Sequence, residues 1–261
     1  MSDYQLRFGG IARLYGNSQS AALQQANFCV IGIGGVGSWV AEALARNGIG
    51  QITLIDLDDL CVTNINRQIH ALTDTVGLSK VDVMRDRIMQ INPECLVSTI
   101  EDFVTLENVH HLLSNSFDYV IDAIDSVNVK TAIIAHCKRN KLPIITIGGA
   151  GGQIDPSKIA IADLSQTFQD PLLAKVRNQL RREYNFSRNV KRKFSIDAVF
   201  STEQLRYPDS DGNVCHAKQS GDGPMRLDCS GGFGAATQVT ACFAFFAVAK
   251  AMDKYLKKAL S

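Results

Sequence analysis

Five short apolar runs recur over the first 147 residues, at 28–33, 51–56, 95–100, 118–122 and 143–147. Between them lie stretches with helical periodicity, at 37–47, 80–91, 105–114 and 127–139. Strands that read as continuous apolar runs are buried on both faces, and strands alternating with helices pair in parallel. The expected fold is therefore α/β, a Rossmann-like, doubly wound, mostly parallel sheet, which binds ligands at the carboxyl ends of its strands. After Gly148-Gly149-Ala150-Gly151-Gly152 the pattern changes. A C-terminal mixed extension follows, with shorter strands near 158–163 and 197–200, a long loop over 201–233 and a closing apolar helix over 234–257. The expected organisation is an N-terminal arm (1–27), a nucleotide-binding core (28–152) and an extension (153–261) packed on the same domain. In the arm, Arg7-Phe8-Gly9-Gly10 and Arg13-Leu14-Tyr15-Gly16 read as turns, and 18–26 as a helix with Ser18 as its cap. The arm is either a packing segment or a carrier of Arg13 into a site elsewhere or on a twin subunit.

The first strand runs into Gly32-Ile33-Gly34-Gly35-Val36-Gly37, which fits G-x-G-x-x-G at the opening of a helix. One glycine makes the turn, another admits phosphate to the backbone, and the last lets helix pack on strand. The helix N-terminus then presents N–H groups and a positive dipole end to an anion. Alone the motif is as readily an accidental turn. The second strand, however, ends in Asp56, about twenty residues past the glycines, where a nucleotide-binding unit places its ribose acid.

Composition adds exclusions. Net charge is +1, so no global field selects a partner. Seven cysteines (29, 61, 95, 137, 215, 229, 242) contain no C-x-x-C pair, and zinc is not expected. Their odd number and scatter, with no signal-peptide layout at Met1–Tyr4, suggest reduced thiols and a cytoplasmic protein. Cys29, Cys61 and Cys242 read as core residues. Ala235–Ala249, with Phe243, Phe245 and Phe246, falls short of the ~20 apolar residues of a span and reads as a buried helix, so no stable membrane insertion is expected. Association with a membrane surface through this helix is the alternative. One segment is strongly charged: Lys175, Arg177, Arg181, Arg182, Arg188, Lys191, Arg192 and Lys193 stand against Glu183 alone, which leaves the rest of the chain net negative. Such a run is either a solvated face or a surface for a phosphate polymer.

The conspicuous polar residues make chemical sense together. A glycine loop holds phosphates, Asp56 holds a ribose, Arg67 and Lys80 neutralise a triphosphate, and Asp125 at the exit of the 118–122 strand holds Mg2+. A nicotinamide dehydrogenase needs only the first two. The full set suits ATP-dependent adenylation, in which a carboxylate attacks the α-phosphorus and cations stabilise the departing pyrophosphate.

Gly32-x-Gly34-Gly35-x-Gly37, Asp56 with Asp58, Asn64-x-Asn66-Arg67-Gln68, Gly77-x-x-Lys80 and Asp122-x-x-Asp125 together resemble the ThiF–MoeB–HesA superfamily of ubiquitin-activating-type adenylating proteins. The resemblance implies an ATP site comprising Gly32, Gly34, Gly35, Gly37, Asp56, Asp58, Asn64, Asn66, Arg67, Gln68 and Lys80. Arg67, Lys80 and Asp125 would be the catalytic residues, and Asp125 the metal ligand. It also implies a homodimer, in which the Arg often reaches across to the twin subunit. Asp122 lies inside its strand and reads as structural, as does His70 after the Asn-Arg-Gln motif.

Further stretches resemble one branch, the tRNA threonylcarbamoyladenosine dehydratases. They are Arg7–Gly16, Asn66–Ala71, Ile121–Ser126, Gly148–Pro156, Val199–Glu203 and Gly232–Thr237. That branch implies ATP activation of a threonyl carboxylate on a modified adenosine beside the anticodon. The carbamoyl group of the same side chain then closes the ring, with net loss of water and no need for a protein nucleophile. The basic residues 175–193 would then contact tRNA. Competing readings are an activator of a ubiquitin-like sulfur carrier, with Cys229 as a possible acyl acceptor, and a non-catalytic partner of a cysteine desulfurase and its sulfur acceptors. The Gly148–Gly152 run, with Gln153 and Asp155, also suggests a carbonyl loop for a monovalent cation.

Overall fold

The computed structural model describes residues 2–113, 116–209, 213–216 and 233–260. Two helices, α1 (Asp3–Tyr15) and α2 (Asn17–Gln25), precede β1 (Asn27–Ile31). Then follow α3 (Gly37–Arg46), β2 (Gln51–Ile55), α4 (Lys80–Ile91), β3 (Leu96–Ile100), α5 (Val109–Leu112), β4 (Tyr119–Asp122), α6 (Val127–Arg139) and β5 (Ile144–Ile147). The extension supplies β6 (Ile159–Asp163), α7 (Pro171–Glu183), β7 (Asp197–Ser201), the short β8 (Tyr207–Pro208) and β9 (Val214–Cys215), and α8 (Thr237–Ala259).

The main sheet has the order β3-β2-β1-β4-β5-β7-β6. The pairs from β3 to β7 are parallel, and β6 pairs antiparallel to β7. The fold is thus the doubly wound α/β class expected, with the two extension strands added to one edge. Strand order reverses between β1 and β4, where such sheets open a crevice. Successive side chains point to opposite faces. Phe28, Val30, Ile52, Leu54 and Ile121 pack with α3, α4 and α8 on one face, while Cys29, Ile31, Val120 and Ile144 pack with α6 and α7 on the other.

Four local expectations need correction. Ser18 is not a cap: it lies inside α2, whose N-cap is Gly16. Residues 7–16 are not turns. Residues 7–15 belong to α1, with Gly16 as its C-cap; a reciprocal Ser2–Gln5 capping box starts the helix, which buries Tyr4 and Phe8. The Tyr4 hydroxyl donates to the Gly48 carbonyl at 2.7 Å. Gly9 and Gly10 cost the helix about 1 kcal/mol each against alanine, and this packing offsets them. The helix expected over 105–114 shrinks to α5, because Thr105 and Asn108 exchange side-chain-to-backbone bonds that compete with helical ones. The stretch 201–233 is not one loop, since β8 and β9 form an antiparallel pair within it.

Among the described residues no helix is long and apolar enough to cross a membrane. α8 instead lies along α3 and across β4, β5 and β7, with Phe243 buried and Phe245 and Phe246 46% and 40% exposed.

Candidate functional site

A cavity of about 770 Å3 opens along the carboxyl ends of β3, β2, β1, β4 and β5. That lies within the range of small-molecule sites, roughly 300–1,000 Å3. Its walls come from loops far apart in sequence. The segment after β1 brings Gly32, Gly34 and Gly35, and the segment after β2 brings Asp56 and Asp58. The turn before α4 brings Asn64, Arg67 and Gln68, and α4 itself begins at Lys80. Asp102 and Phe103 follow β3, Asp125 and Ser126 follow β4, and Gly148 and Gly149 follow β5.

The glycine turn is built as its chemistry requires. Gly32 has φ +85°, which side chains rarely adopt, and its N–H donates to the Ile55 carbonyl at 2.9 Å. A Cβ on Gly37 would overlap the Gly32 carbonyl, so α3 sits tight on the turn. Gly37 is therefore structural and lies outside the cavity wall, whereas Gly34 faces open space. No side chain caps α3, and its first turn points toward the cavity rim formed by Gly34, Gly35 and Val36.

Asp56 holds this loop in place. One carboxylate oxygen accepts the Ile33 N–H at 2.6 Å and the other the Asp58 N–H at 2.9 Å. Burial raises its pKa above the ordinary carboxylate value, opposed by nearby Lys80 and by the two N–H donors. Lys80 is 6% exposed, and its ammonium lies 2.7 Å from an oxygen of the half-exposed Asp58. This pairing accounts for a lysine at a helix N-terminus, where the dipole disfavours one.

The Asn64–Gln68 segment is clamped from two sides. Asn64 accepts the Cys61 N–H at 3.0 Å and fixes the short turn Val62–Asn64. Trp39 of α3 donates its indole N–H to the Arg67 carbonyl at 3.1 Å. Asn66 donates to the Ala235 carbonyl at 2.9 Å, and the Thr237 hydroxyl donates to the Asn66 carbonyl, so the start of α8 grips the same segment. Asn66 is thereby a tether outside the cavity wall. Arg67 stacks its stem on Gly35 and donates to the Thr63 carbonyl at 2.8 Å, lining the cavity of its own chain. Gln68 Oε1 is buried and has no hydrogen-bond partner among the described residues.

Asp122 is fully buried and does not reach the cavity. It pairs with the equally buried Lys130 at 2.9 Å and accepts the Thr146 hydroxyl at 2.7 Å. Lys130 also donates to the Ile124 carbonyl at 2.8 Å, which anchors the loop carrying the exposed Asp125. Sequence reasoning missed Lys130; the signal was a cation in the apolar first part of helix 127–139, away from the Lys138 and Arg139 that end it. It also misread Cys61, which is half-buried and lines the cavity, its sulfur accepting from the Thr63 hydroxyl. Buried Cys95 and Cys137 have thiols pushed up to about 12 by desolvation and are inert. His70 is buried, as suits a structural residue, yet among the described residues neither ring nitrogen has a hydrogen-bond partner. Burial, then Lys80 and Arg87, lower its pKa to about 3, so it is neutral at ordinary pH. Cys229 lies outside the described residues.

The basic segment divides in two. Arg177 donates to the Thr167 hydroxyl, and Arg181 lies 5.3 Å from the Phe194 ring centre, both half-buried. Lys175, Arg182, Arg188, Lys191, Arg192 and Lys193 are exposed.

The chain is 59% identical over 256 residues to the tRNA threonylcarbamoyladenosine dehydratase of Escherichia coli K12, spanning 98% of this chain and 96% of that one. It is 58% identical over 258 residues to the Haemophilus influenzae enzyme of the same name, spanning 99% and 96%. A crystal structure of E. coli tRNA N6-threonylcarbamoyladenosine dehydratase, TcdA, in complex with ATP superposes with a TM-score of 0.88 at 54% identity, over 99% of this chain and 98% of that one. The ThiF family pattern matches residues 9–260, and the chain therefore belongs to the ThiF family.

Proposed function

We propose that this protein is an ATP-dependent tRNA threonylcarbamoyladenosine dehydratase. The observation that carries the reading is its 59% identity, over nearly its full length, to an enzyme of that name. The cavity supports it. Asp56, at the end of β2, keeps lone pairs beyond its two backbone bonds, which suits it to accept ribose hydroxyls. Gly34 and the uncapped α3 N-terminus suit the phosphates, with Arg67 and Lys80 beside them.

Charge balance bears on the metal. Among the described residues lining the cavity are five carboxylates (Asp56, Asp58, Asp59, Asp102, Asp125) and only two cations, Arg67 and Lys80. A polyphosphate brought here needs further positive charge, and Mg2+ takes one or two protein carboxylates and fills its shell with phosphate oxygens and water. Exposed Asp125 fits that role. A bound ion would supply positive charge against the phosphates, held by Asp125.

The chain's own residues then divide the work. Lys80 and Arg67 stabilise charge on the α-phosphorus and the departing pyrophosphate as the threonyl carboxylate attacks. The carbamoyl group of the same side chain closes on the activated carbonyl, and the carboxylate oxygen leaves with AMP. Proximity within one side chain makes a protein nucleophile unnecessary.

Two experiments test this reading. Incubation with ATP, Mg2+ and tRNA bearing threonylcarbamoyladenosine will give a nucleoside lighter by one water, seen by mass spectrometry of the digest. An unchanged nucleoside, with the E. coli relative active in parallel, rejects it. The exposed cations of the 188–193 turn are read as partners of the tRNA backbone. Replacing Lys191, Arg192 and Lys193 together by alanine will lessen the salt dependence of tRNA binding by about two log units per log unit of salt, at roughly 0.7–0.9 for each phosphate no longer neutralised. ATP affinity will be unchanged. An unaltered salt slope assigns those residues to a solvated face.

A further inference from the structure

The cavity extends beyond the strands that carry Asp56 and the glycine turn. From Asp125 it continues past β4 to β5, where Val129, Gly148, Gly149 and Leu172 form its walls. The two ends differ in charge. Arg67 and Lys80 stand on the side of β1 and α4, whereas among the described residues the β5 end has none of the cavity's cations.

The β5 end is held rigidly. The Gly149 N–H donates to Asp170 at 3.0 Å, and the Gly149 carbonyl accepts from the Gln153 amide at 3.0 Å. Asp170 and Gln153 are 4% and 3% exposed. Asp170 also caps α7, accepting the Leu173 N–H at 2.9 Å, which seats Leu172 at the wall. Gly148 is pressed against the Asp170 carboxylate, where a Cβ would overlap it. Gly149 differs. Among the described residues a Cβ there meets nothing within 4 Å, and its φ lies outside the left-handed region, so none of them requires a glycine at this position. Gly34, at the phosphate end, is open in the same way.

We propose that the β5 end of the cavity, at Gly149 and Leu172, is the seat of the acyl side chain of the modified adenosine, separate from the nucleotide seat at Gly34. The assignment rests on the dehydratase reading and follows from the geometry of displacement at phosphorus. Attacking and leaving oxygens lie roughly in line. With pyrophosphate leaving toward Arg67 and Lys80, the carboxylate must arrive from the opposite side, which is the β5 end. α7 joins this seat to the surface, since the helix that begins beside Leu172 carries the exposed Lys175 and Arg182.

The test compares Gly149→Val with Gly34→Val in the full-length protein, reading ATP binding by calorimetry and cyclisation of tRNA bearing threonylcarbamoyladenosine by nucleoside mass. For Gly149→Val, kcat/KM for tRNA will fall roughly 100-fold while the Kd for ATP stays within about twofold, the expected scale when a reacting group is displaced by about 1 Å. Gly34→Val will lose ATP affinity. Wild-type turnover in Gly149→Val overturns the proposal, as does a loss of ATP affinity matching that of Gly34→Val. If circular dichroism shows Gly149→Val unfolded, Gly149→Ala is judged by the same two readings. A wild-type protein that leaves the nucleoside unchanged while the E. coli relative converts it overturns the dehydratase reading, and this assignment with it.

Discussion

Replacing Lys80 by alanine will slow cyclisation by roughly 100- to 1,000-fold, the usual cost of removing one donor aimed at developing charge in a water-poor site. The fold will survive. The ammonium's partner is Asp58, whose side chain is 53% exposed and is hydrated once the lysine is gone. The rest of the turn is held by backbone, as where Lys80 N–H donates to the Asp58 carbonyl at 3.1 Å. A buried lysine whose loss leaves stability nearly unchanged and activity nearly absent is serving a ligand. Thermal melts beside single-turnover nucleoside assays will separate the two effects. Near-wild-type turnover would assign Lys80 to its ion pair alone.

Lys130 will behave in the opposite way. Its pair with Asp122 is fully buried on both sides. Lys130→Met leaves a carboxylate in the core whose remaining donors, among the described residues, are the Thr146 hydroxyl and the Ile124 N–H. Breaking one partner of such a pair costs roughly 3–5 kcal/mol, which for a domain of this size is a melting point about 10 °C lower. Urea denaturation will show a lower midpoint at unchanged slope. Adding Asp122→Asn will recover part of the stability, because the stranded charge, more than the missing ion pair, is what destabilises. A shift below about 1 kcal/mol would mean that water reaches the carboxylate.

How much of this was legible beforehand depends on the range of the forces involved. The strand, glycine turn and helix at 28–46 are local, and so are Asp56 at the end of β2 and Lys80 at the start of α4. Periodicity and spacing carry that kind of information. Residues 7–16 were misread because Gly9 and Gly10 argue against a helix until the burial of Tyr4 and Phe8 is counted, and that burial depends on residue 48. The parallel core could be read from alternation, but the antiparallel β6 at its edge could not, since no local signal sets strand order. Lys130 stayed hidden for a similar reason. Its partner is eight residues away in another element, and only the packed helix brings the two together. The β5 end of the cavity was invisible because it is made of backbone and of residues with no chemical signature, such as Gly149 and Leu172.

The grip of α8 on the Asn66–Arg67 segment has a consequence during synthesis. Arg67 and the elements that surround it emerge from the ribosome early, but Ala235 and Thr237 emerge some 170 residues later. At roughly 5–20 residues per second, that is a delay of about ten to thirty seconds. During it the central strands can pair while the wall of the cavity has no C-terminal support and the face that α8 covers stays bare. A nascent chain of this kind completes its framework first and the wall of its candidate site last.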